Sequence, residues 1–259
     1  MSVMNRISLF ALLAGMLVVG AAHAQTATEI VAATDNVRNP SQSFRSTVTF
    51  TEYVSGRERD HDTLSIYSKV DTATGQFRNL VQYVDPARDA GKRVLLDGRS
   101  LWFFDPSSKT SVRISPQQRL IGQAAVGDVL TVNLVVDYSA TLIGTESVAD
   151  STRAQRQCWH LDLKAANDRA VYNRIEYWVE QGTFYPIKGK LYSDSGRLLK
   201  IVYFRNFAAR LGAQRPIEEI IIDAVDTSLA TTATFSGDAF QDVPDAWFQR
   251  DYLPRLQIK

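Results

Sequence analysis

From Ser43 onward the chain alternates. Phe44, Val48, Phe50 and Val54 fall on one side of an extended segment, and Arg45, Thr47, Thr49, Thr51 and Tyr53 on the other. A period of two in a run rich in β-branched and aromatic residues specifies a half-buried strand. Runs of the same kind follow at about 62–70, 76–84, 92–97, 100–105 and 109–114, and again at about 138–148, 156–164, 171–180, 184–194, 197–207, 215–225 and 230–235. Turn residues punctuate them: Ser55-Gly56, Thr74-Gly75, Asp85-Pro86, Asp97-Gly98, Asp105-Pro106, Gly182, Asp194-Ser195-Gly196 and Gly212. Strands joined by such short turns pair antiparallel with their chain neighbours. The pattern therefore predicts a mainly β protein: one highly curved antiparallel sheet, a half-open barrel of about eleven to thirteen strands, with helices covering its concave side.

Two stretches break the period. Ile30, Val31 and Val37 form a partial apolar stripe that Asn39-Pro40 ends, because a residue before proline is driven out of the helical region. After Ser115-Pro116, Leu120, Ile121, Ala124 and Ala125 recur at helical spacing, as do Val126, Val129, Leu130 and Leu134. Gly122 and Gly127 interrupt them, so two short helices or one broken one are expected over 116–136. The tail from Phe240 to Leu256 is expected as a short helix or extended arm. No low-complexity tract, Pro/Gly/Ser linker or like-charge block divides the chain after residue 25, so 25–259 reads as one domain.

Residues 1–24 read as an address. Met1 to Arg6 supplies a positive start, Ile7 to Val19 an apolar run of 13 residues, and Ala22-His23-Ala24 a small-x-small cleavage site. That is the layout of a secretory signal peptide, and the run is too short for the ~20 residues a spanning helix needs. Cleavage after Ala24 and a periplasmic location are expected, without lipidation, since no cysteine lies at the site. Cys158, the single cysteine, is expected buried as a small hydrophobe.

Charge excludes several partners. Of 29 basic and 28 acidic side chains only Arg6 lies in the leader, which leaves 28 against 28. A balanced chain lacks the basic excess that nucleic acid or an anionic membrane surface demands, so no nucleic-acid partner is expected. Catalytic signals are missing as well. His61 and His160 lie on separate strands without a second ligand at metal spacing, and no Gly-x-Ser-x-Gly elbow or phosphate-cradling glycine loop occurs. Glu218 and Glu219 face opposite sides of a strand and cannot act as an acid–base pair. No enzyme activity, metal or cofactor is expected. What stands out is apolar surface: a single curved sheet has no second sheet to fill its hollow, and small residues in 116–136 fill space poorly. A hydrophobic cavity under a movable cover is the expectation.

The run Arg93-Val94-Leu95-Leu96-Asp97-Gly98-Arg99-Ser100-Leu101-Trp102-Phe103-Phe104-Asp105-Pro106 resembles the central hairpin of the LolA family of periplasmic outer-membrane lipoprotein carriers. Tyr172-Asn173-Arg174-Ile175-Glu176-Tyr177-Trp178-Val179 with Tyr185-Pro186 resembles the longer members called outer-membrane lipoprotein-sorting proteins. The resemblance implies a monomeric soluble carrier that holds the acyl chains of a lipoprotein or lipid and shuttles them between membranes. An inner-membrane transporter and an outer-membrane acceptor are the implied partners. The alternative is a lipid- or lipoprotein-sensing or transporter-accessory module of the same fold, a type that usually adds a second domain. By the resemblance Phe77, Val81 and Tyr83 line the cavity, and Leu120 and Ile121 sit on the covering helix; the helical stripe adds Leu130 and Leu134. The family's Arg-Pro lid latch has no counterpart in Tyr67-Ser68-Lys69-Val70-Asp71, and Arg78 is the candidate stand-in.

Overall fold

The computed structural model describes residues 25–97 and 100–258, so the leader and the hairpin tip Gly98-Arg99 lie outside the described residues. Helix α1 (Ala27–Arg38) opens the fold with a capping box in which Thr26 and Glu29 satisfy each other's backbone amides. Its inner face buries Ile30 and Val31 completely.

The first meander comprises β1 (Phe44–Val54), β2 (Arg57–Val70), β3 (Phe77–Asp85), β4 (Arg93–Asp97), β5 (Ser100–Asp105) and β6 (Thr110–Ile114). The second comprises β9 (Tyr138–Ala149), β10 (Gln155–Ala165), β11 (Arg174–Glu180), β12 (Pro186–Tyr192), β13 (Leu198–Arg210), β14 (Ala213–Asp223) and β15 (Leu229–Phe240). Between them lie β7 (Arg119–Ile121), β8 (Ala124–Ala125), a 3-10 turn (Val126–Val129) and the single turn α2 (Leu134–Asp137).

All the meander strands join one antiparallel sheet of thirteen, in the order β6-β5-β4-β3-β2-β1-β15-β14-β13-β12-β11-β10-β9. The first and last long strands zip the halves together, with Val48 opposite Phe235 and Phe50 opposite Ala233. The sheet does not close: β6 and β9 are its two free edges.

The alternation places the core as the sequence predicts. Phe44, Val48 and Phe50 of β1 are buried while the odd-numbered residues between them are half-exposed. On the concave side Val48 and Phe50 join Leu64, Ile66, Val81, Leu161, Leu163, Tyr177 and Ile221 in one cluster with Ile30 and Val31 of α1. Tyr67, Leu80, Leu95 and Phe104 point the other way. There the tail covers them with two 3-10 stretches, Asp245–Phe248 and Arg250–Arg255, which bury Val243, Phe248, Leu253 and Leu256. Elsewhere on the convex side no element lies over Trp178, so charged chains cover the ring. Lys188 and Lys190 each hold an ammonium 5.3 Å from its centre, and His160 stacks on it at 4.4 Å. Cys158 is fully buried and unpaired beside this ring.

The helical reading of 116–136 needs correction in its first half, while its second half does carry two short helical pieces, Val126–Val129 and α2. Leu120 and Ile121 lie in β7, not in a helix, and Ile121 pairs directly with Ala124 across a tight hairpin. Gly122 makes the turn at φ +52°, where a Cβ would sit 2.3 Å from Thr231 Oγ1. A two-residue hairpin also brings i and i+3 together, so the apolar spacing that mimics a helix belongs here to a turn. Gly127 has a related role: a Cβ there would meet Val171 Cγ1 at 2.4 Å. Only α1 and the one turn of α2 are α-helical on the concave side.

The tail depends on one buried cation. Arg93 on β4 donates to Leu253 O (2.7 Å), which also accepts from Leu256 N at the end of the 3-10 stretch, and to Leu256 O (2.9 Å) just beyond it. Arg93→Ala is expected to cost about 3 kcal/mol in urea unfolding, since it removes two hydrogen bonds from a charged donor. Trypsin should then cut at Arg250 and Arg255 well before it cuts the sheet.

Candidate functional site

The segment between β6 and β9 crosses the hollow of the sheet with hardly any regular structure, so its backbone amides and carbonyls need other partners. Polar side chains of the sheet and of α1 supply them. Asn79, fully buried on β3, donates to Thr131 O (2.9 Å) and accepts from Thr131 N (3.0 Å), as a neighbouring strand would. Ser68 bonds the Thr131 hydroxyl at 2.8 Å. Gln76 repeats the pairing one step on, with Asn133 N (2.7 Å) and Asn133 O (3.1 Å), and Asn39 donates to Val132 O (2.8 Å). Asp35 accepts from Val135 N (2.9 Å) at the start of α2.

A charged latch holds the other end. Lys200 on β13 reaches across to Asp128 Oδ2 (2.7 Å) and Gln123 O (2.9 Å). The Tyr172 hydroxyl donates to Asp128 Oδ1 (2.5 Å), and Ala125 N to Asp128 Oδ2 (2.8 Å). Burial next to that carboxylate pushes the Tyr172 phenol well above its ordinary value, so it stays a donor. The latch thus comes from β13 and not from the first half of the sheet. Arg78 is on the convex side, bonded to Asp245 of the tail at 2.7 Å, and does not touch the cover.

Behind this cover lies a cavity of about 170 Å³. Phe44, Ile66, Ile175, Val202, Phe204 and Ile221 form its sheet wall, and Val129, Leu130, Val132 and Leu134 its roof. Leu130 and Leu134 thus line it. The other five expected residues do not. Val81 and Ile121 are packed into the concave core, and Leu120 and Tyr83 lie partly buried against it, Tyr83 edge-on to Phe103 at 6.5 Å. Phe77 is buried edge-on to Phe44 at 6.3 Å. Phe77, Val81 and Tyr83 are packed because β3 runs under the pinned part of the cover, whereas the open space lies over the middle of the sheet, from β1 and β2 through β15 to β11.

Polar residues of the lining were not anticipated, Arg38, Tyr177 and Glu219 among them. Glu219 shares a strand face with Ile217 and Ile221, so alternation alone marks it as a charge on the apolar side. Burial pushes its carboxyl up to about 7, against the pull of Arg38 and Arg210. Asp35, 3.2 Å from Arg38, is pushed up to about 6 by burial that outweighs the guanidinium. Among the described residues no group of three or more His, Cys, Asp or Glu could hold a metal ion, and no helix is long and apolar enough to cross a membrane.

Comparison with known proteins bears on this geometry. A LolA superfamily protein from Nitrosomonas europaea, solved by crystallography, is 33% identical, with 88% of this chain covering 100% of that one at a TM-score of 0.78. The chain belongs to the LolA superfamily. A DUF1329 family protein from Desulfovibrio piger (20% identity, 88% and 97% coverage, TM-score 0.73) shares the superfamily sheet. So does a domain assigned to the outer membrane lipoprotein-sorting proteins, from Vibrio parahaemolyticus (16%, 88% and 98%, 0.72). Both speak to the fold alone. A family described as "-like: Uncharacterized protein" matches residues 75–255, which include the cover, the β11–β14 part of the cavity wall and most of the tail. No curated protein matches.

Two outcomes follow for stability. Lys200→Met leaves Asp128 buried without its countercharge and should cost about 3–5 kcal/mol, with faster amide exchange in 123–137 than in the sheet. Glu219 takes up protons more readily folded than unfolded, where its value is 4.5, so its contribution is full below 4.5 and lost as pH rises through about 7. Glu219→Gln should therefore stabilise the protein at ~pH 8 by on the order of 3 kcal/mol, and flatten the thermal-melt profile between ~pH 5 and 8.

Proposed function

We propose that the protein is a periplasmic carrier that holds acyl chains of an outer-membrane lipoprotein or a lipid in the concave cavity and shuttles them between membranes. The observation that carries this reading is the cavity itself, an apolar space of about 170 Å³ between a curved sheet and a cover pinned by side chains. Acyl chains cannot cross an aqueous compartment unaided, because each exposed CH₂ costs ~0.8 kcal/mol. A carrier must bury them yet release them without a chemical energy source.

The cover suits that task. Its attachments are mostly hydrogen bonds to backbone, and each such bond is worth only about 0.5–1.5 kcal/mol net because water replaces it on opening. The closed volume is near that of an engineered cavity that takes benzene, roughly 150 Å³, and below the 300–1,000 Å³ of ordinary ligand pockets. A full acyl chain therefore requires the segment 126–137 to move outward. In this reading residues 1–24 direct export and are removed, and the donor and acceptor are membrane proteins of the two bilayers. The site binds and does not catalyse.

Native mass spectrometry and lipid extraction of protein isolated from the periplasm test the proposal. Co-purifying acylated material is the expected result; protein that carries none, and takes up none from vesicles, would overturn it. Leu130→Glu places a carboxylate in the apolar roof and should cut retained acyl material about tenfold or more, while far-UV circular dichroism keeps its β signature.

A further inference from the structure

The lining of the cavity is not uniformly apolar, and its polar groups are unequally served. Six charged side chains reach it. Arg38 is paired with Asp35 at 3.2 Å, and Arg210 grips the Asp238 carboxylate with two nitrogens. Arg215 donates to four carbonyls, those of Asn36 and Val37 at the end of α1 and those of Arg210 and Leu211. Asp128 has Lys200 and Tyr172; Asp137 has Gln76, Asn167 and Arg169. Glu219 alone has no hydrogen bond or ion pair among the described residues, though it lines the cavity. Tyr177 of β11, 2% exposed, also lines it, and its buried hydroxyl has beside it only the Thr34 hydroxyl of α1, which is itself without a hydrogen bond.

An acceptor and a hydroxyl left open in one apolar space are costly unless something fills them. Their chemistry says what. A carboxylate needs a donor, and the phenol has a hydrogen to donate to an acceptor. A cationic donor would add a full charge beside Arg38 and Arg210, whose fields already act on Glu219. An anionic group would face the Glu219 carboxylate. We infer that the cavity is built for an acyl chain ending in an uncharged group that offers Glu219 a hydrogen-bond donor and Tyr177 an acceptor. A monoacylglycerol has both in its hydroxyl and ester carbonyl; an amide-linked acyl chain has both in its N–H and C=O. In the closed state the cavity takes that group and the first carbons, and the rest of the chain follows as the cover lifts. This inference rests on the acyl-carrier reading and deepens it.

The test compares C12 probes by calorimetry at ~pH 8, above the value of about 7 at which Glu219 gives up its proton: monododecanoylglycerol, N-methyldodecanamide, dodecanoate and dodecyltrimethylammonium. The uncharged pair is expected to bind about tenfold tighter than either ion, the size of one hydrogen bond to a charged group. Within each variant the ratio of uncharged to charged probe is read. It should collapse toward unity in Glu219→Leu and in Tyr177→Phe and survive in part in Glu219→Gln, whose amide oxygen still accepts. Circular dichroism reports folding, and Tyr177→Phe carries the comparison if Glu219→Leu does not fold. Whichever uncharged probe binds tighter identifies the source as a glyceride or an amide-acylated peptide. No preference in the wild type, or a preference that persists in both variants, overturns the inference while leaving the carrier reading standing. A wild type that takes up neither these probes nor the apolar dye N-phenyl-1-naphthylamine overturns both.

Discussion

The pairing of β1 with β15 is the constraint on which the molecule turns. Each half of the chain makes a meander whose strands pair with their sequence neighbours, and that pairing alone would leave two separate sheets. Register between Phe44–Val54 and Leu229–Phe240 fuses them into one sheet of thirteen strands. The same pairing sends the two middle strands, β6 and β9, to the outer edges. The chain between them must then travel from one free edge to the other. In a strongly curved sheet the short route runs across the hollow, so the linking segment becomes the cover by topology.

A cover made this way cannot satisfy itself. Beyond the short β7–β8 ladder it is too irregular to pair with itself, and it exchanges hydrogen bonds with Asn79, Gln76, Asn39, Asp35 and the Lys200–Asp128–Tyr172 group. These are exchangeable with water, whereas the convex side is sealed by apolar packing of the tail and by Arg93. The two faces of one sheet are thus closed by different physics. The tail side is a core of Tyr67, Leu80, Phe248 and Leu253, expensive to open; the concave side is held by polar pins around an unfilled space.

Much of this was legible in the residues. Alternation from Phe44 to Val54 named the buried face of β1 correctly, and the turn dipeptides separated the strands. The strand at the end of the run is longer than the alternation marked, extending to Phe240, because Ser236 and Gly237 interrupt the apolar pattern without ending the pairing with β1. The helical reading of Leu120, Ile121, Ala124 and Ala125 failed because spacing of three and four does not separate a helix from a two-residue hairpin. The deciding fact, the approach of Thr231 to Gly122, is more than a hundred residues away in the chain. Leu130 and Leu134 do line the cavity, though one sits past a 3-10 turn and the other in a single helical turn. Glu219 was visible as a charge on an apolar strand face, but only the folded structure shows that nothing pairs with it.

The sequence by itself determined the local elements and their inward faces, since period, turn chemistry and proline placement act over a few residues. It also determined, through the hairpin of β4 and β5, which superfamily the chain resembles. Only the tertiary structure decided where the empty space lies, because a void is the difference between what distant segments bring to one place. β3 ends up beneath the pinned cover, its Leu80 and Val81 fully buried, while the middle of the sheet, from β2 and β1 through β15 to β11, faces the gap. No spacing along the chain encodes that difference; it follows from how far a segment tethered at both edges of an open sheet can reach into its hollow.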